Sequence, residues 1–119
     1  LHSMATIANG MGIPYIMVLQ PYIHLRTNLK DDEREMAAAY AYRGEYMAKG
    51  IKTLSETIPK IDFPGEVYVL DATKAFDAVD GQCFIDEVHL NDLGNQKLSD
   101  FIATTANAEG LKAPEMASR

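Results

Sequence analysis

The sequence predicts an α/β fold built on a parallel sheet, and three features predict it. Ile13 to Leu19 (Ile-Pro-Tyr-Ile-Met-Val-Leu) is a short apolar run rich in β formers. It does not alternate, which is how a strand buried on both faces of a parallel sheet reads. A second β-rich run, Glu66 to Asp71, ends in an acid, and helical periodicity fills the chain before, between and after the two runs.

Leu1, Met4, Ile7 and Ala8 recur at helical spacing, and Asn9-Gly10-Met11-Gly12 closes that pattern with a glycine-rich stop. Helix, glycine turn and apolar strand form the second half of a βαβ unit. Gln20 to Lys30 is the loop leaving the carboxyl end of that strand, where open α/β sheets gather their ligand sites. It carries Pro21, Tyr22, His24 and Arg26; His24 reads as an ordinary loop histidine.

The longest helix is expected from Asp31 to about Ile58. Asp31, Asp32 and Glu33 put negative charge at its positive end. Met36, Tyr40, Gly44, Met47, Ile51, Leu54 and Ile58 then fall on one stripe, read as core packing, with Gly44 and Gly50 as points of close approach or kinking. Pro59, Pro64 and Gly65 mark a turn-rich link before the second strand. Ala72 to Gln82 reads as loop with one helical turn around Lys74 to Ala78. A last helix runs from about Asn91 to Ala106, and residues 109–119 read as a tail.

At 119 residues the chain holds one small domain. Its 47% hydrophobic and 24% charged residues place it with globular chains, not disordered ones. A net charge of -6 argues against nucleic acid as a partner. No run approaches the roughly 20 apolar residues of a membrane span. The single cysteine, Cys83, excludes an intrachain disulfide and leaves the compartment open. Its neighbours Phe84 and Ile85 favour a buried structural thiol.

Chemistry concentrates in Phe84-Ile85-Asp86-Glu87-Val88-His89-Leu90-Asn91-Asp92-Leu93-Gly94. Asp86 lies three residues before His89, just ahead of a helix. That spacing lets the carboxylate turn back to one imidazole nitrogen and leave the other free as a base. By role this is two thirds of a Ser-His-Asp triad. A metal reading with Asp86, His89 and Asp92 lacks convincing further ligands, so no metal or cofactor is expected. Asn91 and Asp92 read as helix caps, Gly94 as a point of close approach and Asp71 as a loop-stabilising acid.

Two gaps stand beside this pair. A sheet of two strands leaves hydrophobic edges open, so a further segment or a second copy is expected to complete it. None of Ser3, Ser55, Ser99 and Ser118 has the strained, glycine-rich setting that exposes a nucleophilic hydroxyl.

Taken together, Asp86-Glu87-Val88-His89-Leu90-Asn91-Asp92-Leu93-Gly94-Asn95 and the upstream strand ending Val18-Leu19-Gln20-Pro21 resemble the C-terminal half of an SGNH (GDSL-type) hydrolase. The likeness covers residues 1–108. It implies the C-terminal part of a three-layer α/β/α flavodoxin-like fold with a parallel sheet, incomplete in this chain. It further implies His89 as general base and Asp86 as its orienting acid. The family's serine block and oxyanion-hole blocks have no match here, so the nucleophile is expected in a missing N-terminal half and the isolated chain is expected to be inactive. The implied substrate is an acyl ester, with carbohydrate O-acetyl esters among the candidates. Acyl transfer by the same residues, and a non-catalytic binding or assembly module, are the competing expectations.

Overall fold

Two short parallel strands, β1 (Tyr15–Leu19) and β2 (Val67–Asp71), pair side by side in the computed structural model of the protein, which describes residues 1–110. Most of the tail expected over residues 109–119 lies outside the described residues. Tyr15 stands opposite Val67, Met17 opposite Val69 and Leu19 opposite Asp71. Beyond the strand ends, Tyr15 N–H donates to the Glu66 carbonyl (2.9 Å) and Ala72 N–H to the Leu19 carbonyl (2.9 Å).

Among the described residues four α-helices accompany this sheet: α1 (His2–Gly10), α2 (Asp31–Ala39), α3 (Ala41–Thr57) and α4 (Asp92–Ala108). The chain is therefore mixed α/β with a small two-stranded parallel sheet. Helix α1 buries Ala5 and Ala8, and Gly12, at φ 69°, turns the chain into β1. None of the helices among the described residues is long and apolar enough to cross a membrane.

Coverage of β1 is one-sided among the described residues. Its apolar run reads as buried on both faces, yet Met17 is buried while Ile16 is exposed. Successive side chains of a strand point to opposite faces, so only one face of this strand is well covered among the described residues. Leu1, Met4, Ile7, Met11 and Ile13 are also exposed. The Cα radius of gyration is 16.4 Å, against the about 13 Å of a compact domain of this length. The described residues spread out instead of closing around the sheet.

The single long helix expected from Asp31 to Ile58 divides at Tyr40, whose φ of -104° and ψ of 11° interrupt the helical geometry. Gly44 and Gly50 both lie inside α3 and do not mark the break. A 3-10 turn, Ile58–Lys60, follows α3. Gly44 is buried because the imidazole of His24 occupies the place where a Cβ would stand. The stripe read as core is buried at Gly44 and Ile58, half-buried at Met36, Tyr40 and Ile51, and exposed at Met47 and Leu54.

The core lies away from the sheet. Ile23, Phe76, Cys83 and Phe84 form its fully buried centre, with Leu29, Met36, Leu90, Leu93 and Leu98 packed around them. The rings of Phe76 and Phe84 meet edge-on, 5.5 Å apart at 73°. Three of these four central residues come from the irregular stretch between β2 and α4. That stretch is thus fixed from below by apolar packing, although it forms no regular element.

Candidate active site

The stretch carrying Asp86 and His89 is a short loop closed at its base. Phe84 and Leu90 form an isolated antiparallel bridge, and Ile85 N–H donates to the His89 carbonyl (2.9 Å). Within the loop, one carboxylate does two jobs. Asp86 Oδ1 accepts the backbone N–H groups of Val88 (2.8 Å) and His89 (2.7 Å), and Oδ2 lies 2.7 Å from His89 Nδ1. The backbone bonds fix the carboxylate before it meets the ring, so the imidazole is aligned by an acid that cannot swing freely.

The same contacts set the charge on Asp86. The His89 N–H first, then the Val88 N–H, stabilise the ionised form and hold its carboxyl down at about 2. An ionised acid beside Nδ1 favours the tautomer with the proton on Nδ1 and leaves Nε2 as the basic nitrogen. The His89 side chain is 71% exposed. The imidazole therefore stands open to whatever approaches it.

Three contacts fasten this loop to the segment leaving the carboxyl end of β1, where the topology of α/β sheets places ligand sites. Gln20 Nε2 donates to the Val88 carbonyl (2.9 Å), and Ile23 N–H to the Glu87 carbonyl (3.1 Å). The Tyr22 hydroxyl reaches Glu87 Oε2 (3.4 Å). Burial, then the Glu87 carboxylate, pushes the Tyr22 phenol up and keeps it a neutral donor. Arg43 of α3 forms an ion pair with the same Glu87 carboxylate.

On the other side, α4 begins three residues after His89. Asn91 caps it: Oδ1 accepts the Gly94 N–H (2.9 Å) while Nδ2 donates to the Gln82 carbonyl (2.8 Å). Asp92 sits in the first turn, where its charge faces the positive end of the helix. Gly94 makes its expected close approach, to the Cys83 carbonyl. Gly94→Ala is expected to cost about 1–3 kcal/mol because a backbone oxygen would have to move. The urea midpoint checks this, and an unchanged midpoint would refute the tight fit.

Other candidates take structural places. Cys83 is fully buried and its thiol is pushed up by burial, which suits a packed thiol and not a nucleophile. His24 packs against the Tyr22 ring, 5.2 Å between centroids, and its Nε2 is buried without a hydrogen-bond partner. Asp71 Oδ1 accepts the Thr73 N–H (3.0 Å) and hydroxyl (2.6 Å), tightening the turn after β2. Ser3 lies in α1, Ser55 in α3 and Ser99 in α4; Ser118 is outside the described residues. Among the described residues no serine hydrogen-bonds to His89, and no three His, Cys, Asp or Glu side chains are grouped to hold a metal ion. A groove of about 520 Å³ on α3, lined by Tyr46, Met47, Ile51 and Leu54 among others, includes neither Asp86 nor His89.

The sequence missed the supports of the site. Glu87 stands between Asp86 and His89, but its partners Tyr22 and Arg43 are 65 and 44 residues away. No local spacing announces contacts of that range. Comparison with protein-family models, with curated proteins and with solved structures finds no match.

Proposed function

We propose that the chain supplies the acid and base half of a serine ester hydrolase of the SGNH type. The observation that carries this reading is the Asp86–His89 pair: Nδ1 to Oδ2 at 2.7 Å, with the second carboxylate oxygen held by two backbone N–H groups. The resemblance around Asp86-x-x-His89-Leu90 and the strand ending Gln20-Pro21 supports it, and with it the finer fold: the C-terminal part of a three-layer α/β/α flavodoxin-like domain. In this reading further strands pair with the small sheet, and the exposed apolar face of α1 and β1 is covered.

The serine and the oxyanion donors come from residues other than those described. The serine hydroxyl attacks the ester carbonyl as His89 Nε2 takes its proton. Asp86 stabilises the imidazolium, which returns the proton to the departing alcohol. Water, activated by the same nitrogen, then releases the acid from the acyl-serine. A sugar hydroxyl in place of that water makes the reaction an acyl transfer. The substrate class is an acyl ester, carbohydrate O-acetyl esters included.

A second reading rests on a different observation. Among the described residues no serine accompanies the dyad, and Met4 and Ile7 of α1 are exposed together with Leu1 and Met11 at its two ends. Both suit a non-catalytic module that binds or assembles. Labelling with a fluorophosphonate, followed by intact-mass measurement of the chain purified with whatever binds it, separates the two. The hydrolase reading expects an adduct on a serine other than Ser3, Ser55, Ser99 and Ser118 that disappears in His89→Ala. Absence of any adduct favours the binding module.

A further inference from the structure

Residues 79–84 lead directly into the loop of Asp86 and His89, yet no helix or strand holds them. Backbone polar groups in such a packed segment must still find partners. Four of them find partners on a single ion pair. Glu33 Oε1 accepts the N–H groups of Cys83 (2.7 Å) and Phe84 (3.2 Å). Arg26 Nη2 donates to the carbonyls of Val79 (2.8 Å) and Gly81 (2.9 Å). The two side chains meet through Arg26 Nη1, 2.7 Å and 2.9 Å from the carboxylate oxygens of Glu33, and their side chains are 1% and 0% exposed.

The pair joins three segments. Arg26 follows the 3-10 turn after β1, Glu33 lies in the first turn of α2, and the gripped backbone comes from the stretch between β2 and α4. From there the geometry passes to the dyad in one step. Phe84 is the residue that bridges to Leu90, and the Cys83 carbonyl accepts the Asn91 N–H (2.9 Å). Where Glu33 holds Cys83 and Phe84, the loop of Asp86 and His89 is held too.

We propose that the buried Arg26–Glu33 pair is a positioning element for the Asp86–His89 dyad, a role that rests on the reading of that dyad as an acid–base pair. The carboxylate is needed as a carboxylate. Its Oε1 accepts from Arg26, Cys83 and Phe84, and its Oε2 from Arg26 and the Lys30 N–H (3.0 Å). A neutral amide has one acceptor oxygen and would turn an NH₂ group toward donors. Its cost would appear in the loop it holds.

NMR on the full chain tests this without any turnover. Glu33→Gln is expected to speed hydrogen exchange at the Val88 and His89 amides by tenfold or more, while amides of the β1–β2 ladder change less than twofold. The His89 ring nitrogens are expected to shift away from the tautomer protonated at Nδ1. Arg26→Lys, which keeps the charge but lacks the planar two-pronged grip, is expected to move the same signals in the same direction and decides the matter if Glu33→Gln does not fold. Unchanged exchange at Val88 and His89, or equal acceleration at every amide, overturns the proposal. An intact clamp in a chain whose complete assembly hydrolyses no ester refutes the hydrolase reading alone.

Discussion

His89→Ala is expected to abolish ester turnover in the assembly that takes a fluorophosphonate, by about 10,000-fold or more, and to leave the fold almost untouched. The two halves of that expectation come from different observations. The imidazole is 71% exposed and its one hydrogen bond to the described residues is the one to Asp86. Removing an exposed ring of this kind changes stability by about 0.5 kcal/mol or less. The backbone N–H of His89, which Asp86 accepts at 2.7 Å, survives the substitution. Activity and folding therefore separate cleanly: hydrolysis of a chromogenic acetate ester collapses while the urea midpoint stays in place. Turnover within tenfold of the parent would sink the assignment of His89 as base.

Asp86→Asn is the sharper companion, because the amide keeps the size and loses the charge. It is expected to lower turnover by about 10,000-fold through the wrong imidazole tautomer. It also removes a pH-dependent contribution to stability whose sign is fixed. The folded carboxyl sits at about 2, below the unfolded value of about 3.9. Its contribution is thus complete above about pH 4 and is lost as pH falls toward and through about 2. The stability gap between parent and Asp86→Asn should shrink over that window and stay constant above it. Any acidic limb of activity above pH 5 must then belong to another group.

How much of this was legible follows from the range of the contacts involved. Both strands, the Asn91 cap and the Asp86–His89 spacing are local features, and the structure has each of them within two residues of where the sequence puts it. The break at Tyr40 was not legible, since no proline or glycine occupies it and the apolar spacing runs straight through. The location of the core was hidden for a related reason. Phe76, Cys83 and Phe84 sit in a segment with neither a 2-residue nor a 3.6-residue period, so no pattern marks them as buried together. Glu33 misled most. At the third position of a helix an acid ordinarily serves the helix dipole from the surface, and only its distant partners Cys83 and Phe84 reveal that it is buried.

Glu33→Leu is expected to destabilise the chain by about 3–5 kcal/mol, since it leaves the Arg26 charge buried without a counter-charge. Arg26 is 5% exposed overall, and its Nε is already buried without a partner, so solvent hardly reaches its guanidinium. The Cys83 and Phe84 N–H groups lose their acceptor at the same time, at about 1–3 kcal/mol for each one left unsatisfied. A small domain holds only about 5–15 kcal/mol in total, so much of Glu33→Leu should be unfolded at equilibrium. Arg26→Met alone should be comparably damaging, because it strands the carboxylate instead. The two together should not add. With both charges gone the desolvation cost of each disappears, and a double-mutant cycle on urea midpoints is expected to show Arg26→Met/Glu33→Leu more stable than the sum of the single changes by about 1–3 kcal/mol. It should still fall short of the parent, because Val79, Gly81, Cys83 and Phe84 keep backbone groups that an apolar pair cannot satisfy. Additivity within about 0.5 kcal/mol would mean that the two side chains act independently. The interaction that ties α2 to the loop of the dyad would then have to be sought elsewhere.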